Sequence, residues 1–333
     1  MSRLVLVAGV GRSGTSLMTG ILGQVGFHIP QPEIGADETN PKGFGEPAWV
    51  VNFHQRVMRR RRVTVFDARP HAWEVTDAVA DDAEVRSELR AWLKGELAQA
   101  DAVVVKDPRV GWFLPLWTGC ASDVGAPAAF VCMLRHPAEI LASARKWYGD
   151  WQTDASRAAA WINVMLETER KTREMPRAFV RYEDLLADWE RELRRTGEAI
   201  DDPILSGMDR SRFPAVDEFV DPTLHRNRRG WEGLEVPDSV RELADRVWFE
   251  LQPLANTGGD GHGVRTVLDA SHDEYKALYG EAEAISQSSV TAVKPRKKAG
   301  GGPPPSLRVR VARRIPPGAR KQLRRLVGRS GSG

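Results

Sequence analysis

Residues 9–16 read GVGRSGTS, and Gly9, Gly14 and Ser16 stand at the spacing of a phosphate-binding loop, G-x-x-x-x-G-K-[S/T]. The position that carries the lysine of that loop is Thr15, and the nearest cation is Arg12, ahead of the second glycine. In nucleotide triphosphatases the lysine reaches the β- and γ-phosphates and the loop hydroxyl holds magnesium. A loop that keeps its amides and one arginine suits a single phosphate with one more anionic group attached. The pattern therefore points to a 5′-monophosphate-type donor rather than to ATP with magnesium. The flanks are those a phosphate loop requires. RLVLVA, 3–8, reads as a buried strand; Leu17, Met18, Ile21, Leu22 and Val25 recur at helical spacing, and Gly26 is a stop. The backbone N–H groups of residues 13–16 are then expected to converge at a helix N-terminus, where the dipole favours an anion. An ordinary βα turn of small residues is the bland alternative.

At this loop the chain resembles the sulfotransferases, whose 5′-phosphosulfate loop has the form basic-S-G-T-[S/T] after a first strand. Arg12, Ser13, Gly14, Thr15 and Ser16 match it, with Gly11 ahead of them. The resemblance implies a P-loop NTPase-like fold and 3′-phosphoadenosine 5′-phosphosulfate (PAPS) as donor. It also implies that an arginine at a later strand end, with a serine eight residues on, holds the 3′-phosphate. AAFVCMLRHPAEILASARKW, 128–147, fits: Arg135 ends an apolar run, Pro137 suits a first helical position and Ser143 follows at the right distance. Arginine can grip a phosphate bidentately. A surface arginine at a strand end is the alternative.

Two more stretches extend the resemblance. VVVKDPR, 103–109, is similar to a K-D-P found in tyrosyl-protein and many bacterial sulfotransferases, which implies that Lys106 stabilises charge on the transferring group. The alternative is a Lys106–Asp107 pair closing a turn. NPKGFGE, 40–46, resembles the bacterial N-P-K-G-[F/Y]-x-E, although x, usually aromatic, is Gly45 here. That departure bears on the shape of the acceptor pocket. Glu46 either caps the helix of PAWVVNFHQRVMRR, with Pro47 at its first position, or faces the acceptor hydroxyl as general base. Glu33, Asp37, Glu38 and His54 compete for the role of base. Glu33 lies at about the separation from the loop that the tyrosyl enzymes use, and His54 reads as structural. FVRYED, 179–184, resembles the family's R-Y-E-D-L segment and is read as ordering the sheet edge and a following helix. Arg228, Arg229 and Gly230, in HRNRRGW, resemble the basic segment that closes over the 3′-phosphate in cytosolic members; a solvated loop is the rival reading.

These residues need elements to hold them. Strands are expected at 3–8, 102–106, 128–134 and 177–182. Helical patterns fall at 14–25, 49–60, 84–99, 138–147, 154–172, 185–199 and 238–252, with 266–287 as a peripheral helix and 201–225 irregular. The alternation gives an α/β fold of three layers, a mostly parallel sheet with helices on both faces. The expected organisation is a catalytic domain over 1–260, a helical segment over 261–287 and a tail over 288–333.

The 333 residues suffice for one large α/β domain. Cys120 and Cys132 are too few for a disulfide framework and fit no metal-ligand spacing, and Cys132 is expected to be a buried core thiol. There is no signal-peptide plan at the N-terminus and no run of membrane-spanning length, so a cytoplasmic protein is expected. The last 46 residues hold 13 Lys and Arg and no Asp or Glu, while the other 35 Lys and Arg face all 45 Asp and Glu, a net charge of −10. Such a tail cannot bury a core and is expected to be disordered. It is read as solvated or as lying on anionic lipid; without aromatic residues for stacking, nucleic acid is the weaker partner.

The expectation is a sulfotransferase acting on a hydroxyl of a sugar, lipid or small molecule. Glu46 serves as base, Lys106 and Arg12 stabilise charge, and no metal is called for. The rivals are a P-loop kinase with a displaced cation, for which Asp107 could supply the magnesium-binding carboxylate and the basic loop at 225–231 the lid, and a nucleotide-binding scaffold acting through its basic tail.

Overall fold

A computed structural model describes residues 2–149, 151–221, 230–257 and 262–293. Among them four strands form one parallel sheet in the order β2-β1-β3-β4, with β1 Arg3–Ala8, β2 Ala102–Lys106, β3 Ala128–Leu134 and β4 Arg177–Arg181. Val7 pairs with Lys106, Ala8 with Cys132 and Leu134 with Arg181. Because the strands are parallel and in near register, their C-terminal ends share one edge. That edge is where open α/β sheets take ligands.

Both faces of the sheet are buried, which is why the strands read as nearly unbroken apolar runs. Side chains alternate between the faces at period two. Leu4, Leu6, Val103, Val105, Phe130, Cys132 and Phe179 enter one core, and Val5, Val7, Val104, Val131, Met133 and Val180 the other. The helices divide the same way. The second core takes α1 Thr15–Gln24, and the first takes α2 Ala48–Arg61, α3 Ala72–Asp77, α4 Ala83–Leu97, α5 Leu114–Asp123, α6 Pro137–Tyr148 and α7 Asp154–Thr172. Later, α8 Tyr182–Ala187, α9 Trp189–Ala199, α10 Pro203–Ser206 and α11 Pro214–Phe219 return to the second core. α12 Asp238–Thr257 and α13 His262–Val293 return to the first. The expected three-layer α/β arrangement is what forms.

The chain divides after Glu281 into two units, and the sheet and its helical layers belong to the first. Within that unit α13 is anchored by the buried Tyr275 and by a 2.7 Å contact between His272 Nε2 and Glu167 Oε1. Of the tail, residues 294–333 lie outside the described residues. Among the described residues no helix is long and apolar enough to cross a membrane. Cys132 is fully buried and burial pushes its thiol up to about 12, as a core cysteine requires.

Three local differences from the sequence reading have simple causes. The pattern at 185–199 is two helices, because Asp188 leaves the helical conformation (φ −155°, ψ 83°) and its side chain accepts from the Arg191 amide, starting α9 afresh. The stretch 201–225, expected to be irregular, holds α10 and α11. α5 has no counterpart in the sequence reading although its buried Leu114, Leu116, Trp117, Cys120 and Ala121 share one face at helical spacing; Pro115 in its first turn and Gly119 within it obscure the pattern.

Candidate active site

The loop after β1 is shaped by two glycines in the left-handed region. Gly9 has φ 136°, and a Cβ there would lie 2.9 Å from Ser13 Oγ. Gly14 has φ 98°, and its Cβ would lie 2.3 Å from Tyr182 Cδ2. Arg12 takes φ 76° without being glycine, a conformation that costs energy and has to be held from outside. Three contacts hold it. Arg135 Nη1 donates to the Arg12 carbonyl (3.0 Å), Arg12 Nε donates to Ser143 Oγ (3.1 Å) and Arg12 Nη2 donates to the Thr39 carbonyl (3.3 Å). The loop cation and the two residues expected at a second phosphate thus form one polar cluster.

The amides only partly follow expectation. The Ser13 N–H is used inside the loop, donating to the Val10 carbonyl at 3.1 Å. Those of Gly14, Thr15 and Ser16 take no backbone acceptor among the described residues, and Gly14 provides no side-chain cap. Ser13 Oγ is buried with no hydrogen-bond partner among the described residues. An ordinary βα turn would satisfy such groups, because a buried polar group left unpaired costs about 1–3 kcal/mol. Three amides at a helix N-terminus, an unmet hydroxyl and a nearby arginine fit a bound phosphate group.

Lys106, the last residue of β2, is 2 % exposed. Its Nζ donates to Glu46 Oε1 (2.5 Å), to Ser16 Oγ (3.2 Å) and to the Phe44 carbonyl (3.2 Å). Its partner is therefore Glu46, 60 residues away, and not Asp107, so the turn-closing pair does not form. Glu46 makes no capping hydrogen bond to α2; Pro47 stands at the cap rather than at the first helical position, and the helix begins at Ala48. The 43–45 turn explains the departure at Gly45. Gly43 has φ 86° and Gly45 φ 64°, and a Cβ on Gly45 would lie 2.9 Å from Thr19 Cγ2. An aromatic residue has no room there. The glycine lets the Phe44 carbonyl reach Lys106.

Of the competing groups, Glu33, Asp37 and His54 have partners of their own, although Glu33 pairs through its backbone with Pro47, beside Glu46. Glu33 accepts from Gln31 Nε2. Asp37 accepts from the hydroxyl and amide of Thr39, which hold its carboxyl below the usual range, and it is exposed, as is Glu38. His54 is wholly buried: Trp117 Nε1 donates to its Nε2 at 2.9 Å, and its Nδ1 lies 3.4 Å from Asp107 Oδ2. Asp107 is fully buried. Burial alone would raise its pKa, but His54 and Arg109 outweigh that and bring it to about 2. A magnesium ligand, as a kinase would need, cannot be this aspartate while both partners hold it inside the core.

Arg135 follows β3, and α6 carries Ser143, which is 4 % exposed. Tyr182, the first residue of α8, packs against both the loop and Arg135. Its ring fills the space that Gly14 leaves open and lies 4.6 Å below the Arg135 guanidinium. Sequence reasoning put Tyr182 at the end of a sheet-edge strand. Its pairing with a glycine 168 positions earlier leaves no local signal. Thr39 and Phe44 escaped notice too; both act through backbone carbonyls, which residue type does not reveal. Gly230 is exposed, and Arg228 and Arg229 lie outside the described residues.

Comparison with known proteins agrees with the loop. The Sulfotransferase family is matched over residues 5–205, from β1 to α10. Two solved structures align with 76 % of the chain. One is the sulfotransferase domain from the Synechococcus PCC 7002 olefin synthase, at 16 % identity, 96 % of that chain and TM-score 0.43. The other is the sulfotransferase domain from the curacin biosynthetic pathway, at 13 % identity, 98 % of that chain and TM-score 0.41. No curated protein matches.

Proposed function

The chain belongs to the sulfotransferase family, and from that premise we propose that it moves a sulfuryl group from PAPS to an acceptor hydroxyl by in-line displacement. The observation that carries this reading is the contact of Lys106 with both Glu46 and Ser16. A carboxylate and a cation stand together at the first turn of the helix that follows the phosphate loop.

The donor supplies an activated sulfuryl group on a good phosphate leaving group. The chain's own groups do the rest. Glu46 Oε2, the oxygen that Lys106 does not hold, takes the proton of the acceptor hydroxyl as its oxygen bonds to sulfur. The bond from sulfur to the phosphate oxygen breaks, and the charge left on the phosphate falls to the Gly14, Thr15 and Ser16 amides and to Arg12. Lys106 neutralises the sulfuryl oxygens from a buried position, where a fixed cation is worth more than in water. General-base catalysis of this kind contributes roughly 10²–10⁴-fold. Arg135 and Ser143 take the 3′-phosphate and so distinguish this donor from ATP. The acceptor is a sugar, lipid or small-molecule hydroxyl, and the basic tail brings the enzyme to anionic membrane when the acceptor is a lipid.

Thermal unfolding with adenosine 3′,5′-bisphosphate, without magnesium, tests the donor. At a hundred times its dissociation constant this ligand should add about 2.7 kcal/mol of stability. Stabilisation by ATP with magnesium alone would instead favour the kinase.

A further inference from the structure

Arg135 is ready for a phosphate in every respect but one. Its face is covered by the Tyr182 ring, so an anion must approach the guanidinium along an edge. Arginine offers two edges suited to bidentate binding, Nε with Nη2 and Nη1 with Nη2. Nη1 donates to the Arg12 carbonyl, and Nε donates to Glu139 Oε2 at 2.9 Å. Neither edge therefore has two unengaged nitrogens. The two contacts are not equally easy to give up. The Arg12 carbonyl belongs to a backbone at φ 76° in a glycine-shaped loop, and the Arg12 side chain is tied to Ser143 and Thr39. Glu139 reaches Arg135 through a side chain, which can change rotamer, from the first turn of α6, four residues beyond it. Bidentate capture along the Nε edge requires Glu139 to withdraw, and the withdrawn carboxylate stays beside the incoming phosphate.

We infer that Glu139 is a built-in competitor for the 3′-phosphate subsite: it occupies Arg135 when the donor is absent and helps expel the bisphosphate product after transfer. This inference rests on the proposed function. The Arg135–Glu139 pair has only 10 % and 13 % of its side-chain surface exposed, so the carboxylate acts on the phosphate with little screening. Since Glu139 opposes both nucleotides that carry a 3′-phosphate, it trades donor affinity for product release. A ligand without that phosphate should not feel it.

The test is the affinity and dissociation rate of adenosine 3′,5′-bisphosphate for the wild-type chain and for Glu139→Gln, with adenosine 5′-monophosphate as comparison. Glutamine keeps the length and an acceptor oxygen for Arg135 but not the charge. The expected result is bisphosphate binding roughly tenfold tighter in the variant, through slower dissociation, for loss of one partly buried like charge. Monophosphate affinity should stay within about twofold, since its phosphate lies at the loop. Weaker bisphosphate binding in Glu139→Gln would mean that Glu139 aligns Arg135 and would overturn the inference. Equal binding would remove Glu139 from the subsite while leaving the donor reading intact. Failure of the wild-type chain to bind the bisphosphate would remove the donor reading and this inference with it. Glu139→Ala repeats the comparison without the acceptor oxygen and should shift affinity in the same direction.

Discussion

Two regions of this molecule bury charge, and they do it differently. At the N-terminal edge of β4, Glu169 is fully buried between Arg173 and Arg177, with distances of 2.7–3.1 Å to both guanidinium groups. Arg177 Nη1 also donates to the Glu169 carbonyl and to Thr172 Oγ1. Each charged group there finds its partners within the fold. At the opposite edge, past the C-terminal ends of the strands, the phosphate loop leaves three amides and Ser13 Oγ unmet beside Arg12, Lys106 and Arg135. An unmet hydroxyl alone does not distinguish the two regions, since Thr168 Oγ1 and Ser271 Oγ also lack partners near the first. What distinguishes them is the combination: unmet donors, a helix N-terminus and cations at one place. Closed networks hold a fold together; networks left open on one side wait for a ligand.

The boundary between the two kinds of region runs between adjacent residues. Lys106 turns to Glu46 and the loop, whereas Asp107 turns inward to His54 and Arg109.

The largest expected effect falls on the closed network. Glu169→Ala leaves Arg177 buried without its carboxylate, while Arg173 keeps Asp269, and should cost about 3 kcal/mol of stability, read by denaturant unfolding. Bisphosphate affinity of the folded fraction should not change, since β4 puts roughly 13 Å of strand between the two edges. A matching loss of affinity would show that the regions are coupled.

Asp107 comes next. Its pKa is lowered in the folded state to about 2, so its stabilisation is complete above the ordinary carboxylate range and is lost as pH falls from about 4 towards 2. The contribution is about 2 kcal/mol, to be seen as an acid-induced loss of stability that Asp107→Asn reduces. Stability insensitive to Asp107→Asn over that window would place Asp107 outside the closed class.

The smallest expected effect is the sharpest on the comparison. Ser13→Ala removes a buried hydroxyl that has no partner, so stability should hold or rise slightly. Bisphosphate binding should weaken by about 1 kcal/mol, one hydrogen bond's worth. A stability loss without an affinity loss would put Ser13 with the closed network.

Much of this was legible in the sequence, and what was not has a physical reason. The strands were marked by continuous apolar runs, and three of the four have the expected limits; β4 ends one residue early because Tyr182 opens a helix. The loop was legible because glycine spacing encodes backbone conformation directly. The strand-end positions of Lys106 and Arg135 were legible from where each apolar run stops. Pairings across the fold were not: that Lys106 chooses Glu46 over its neighbour Asp107, or that Tyr182 fills the space beside Gly14, depends on how the helices pack. Nor does residue type tell that the Ser13 amide is spent inside the loop.

The central claim is that Glu46 and Lys106 form the reaction centre beside an anion-binding loop. The most direct measurement compares wild type with Glu46→Gln for sulfuryl transfer from radiolabelled PAPS to a mixture of hydroxyl acceptors, alongside bisphosphate binding by the same proteins. The expected result is transfer by the wild type and a loss of about 10²-fold or more in the variant, with bisphosphate affinity retained. Transfer by Glu46→Gln at the wild-type rate would contradict the claim and move the base to another residue.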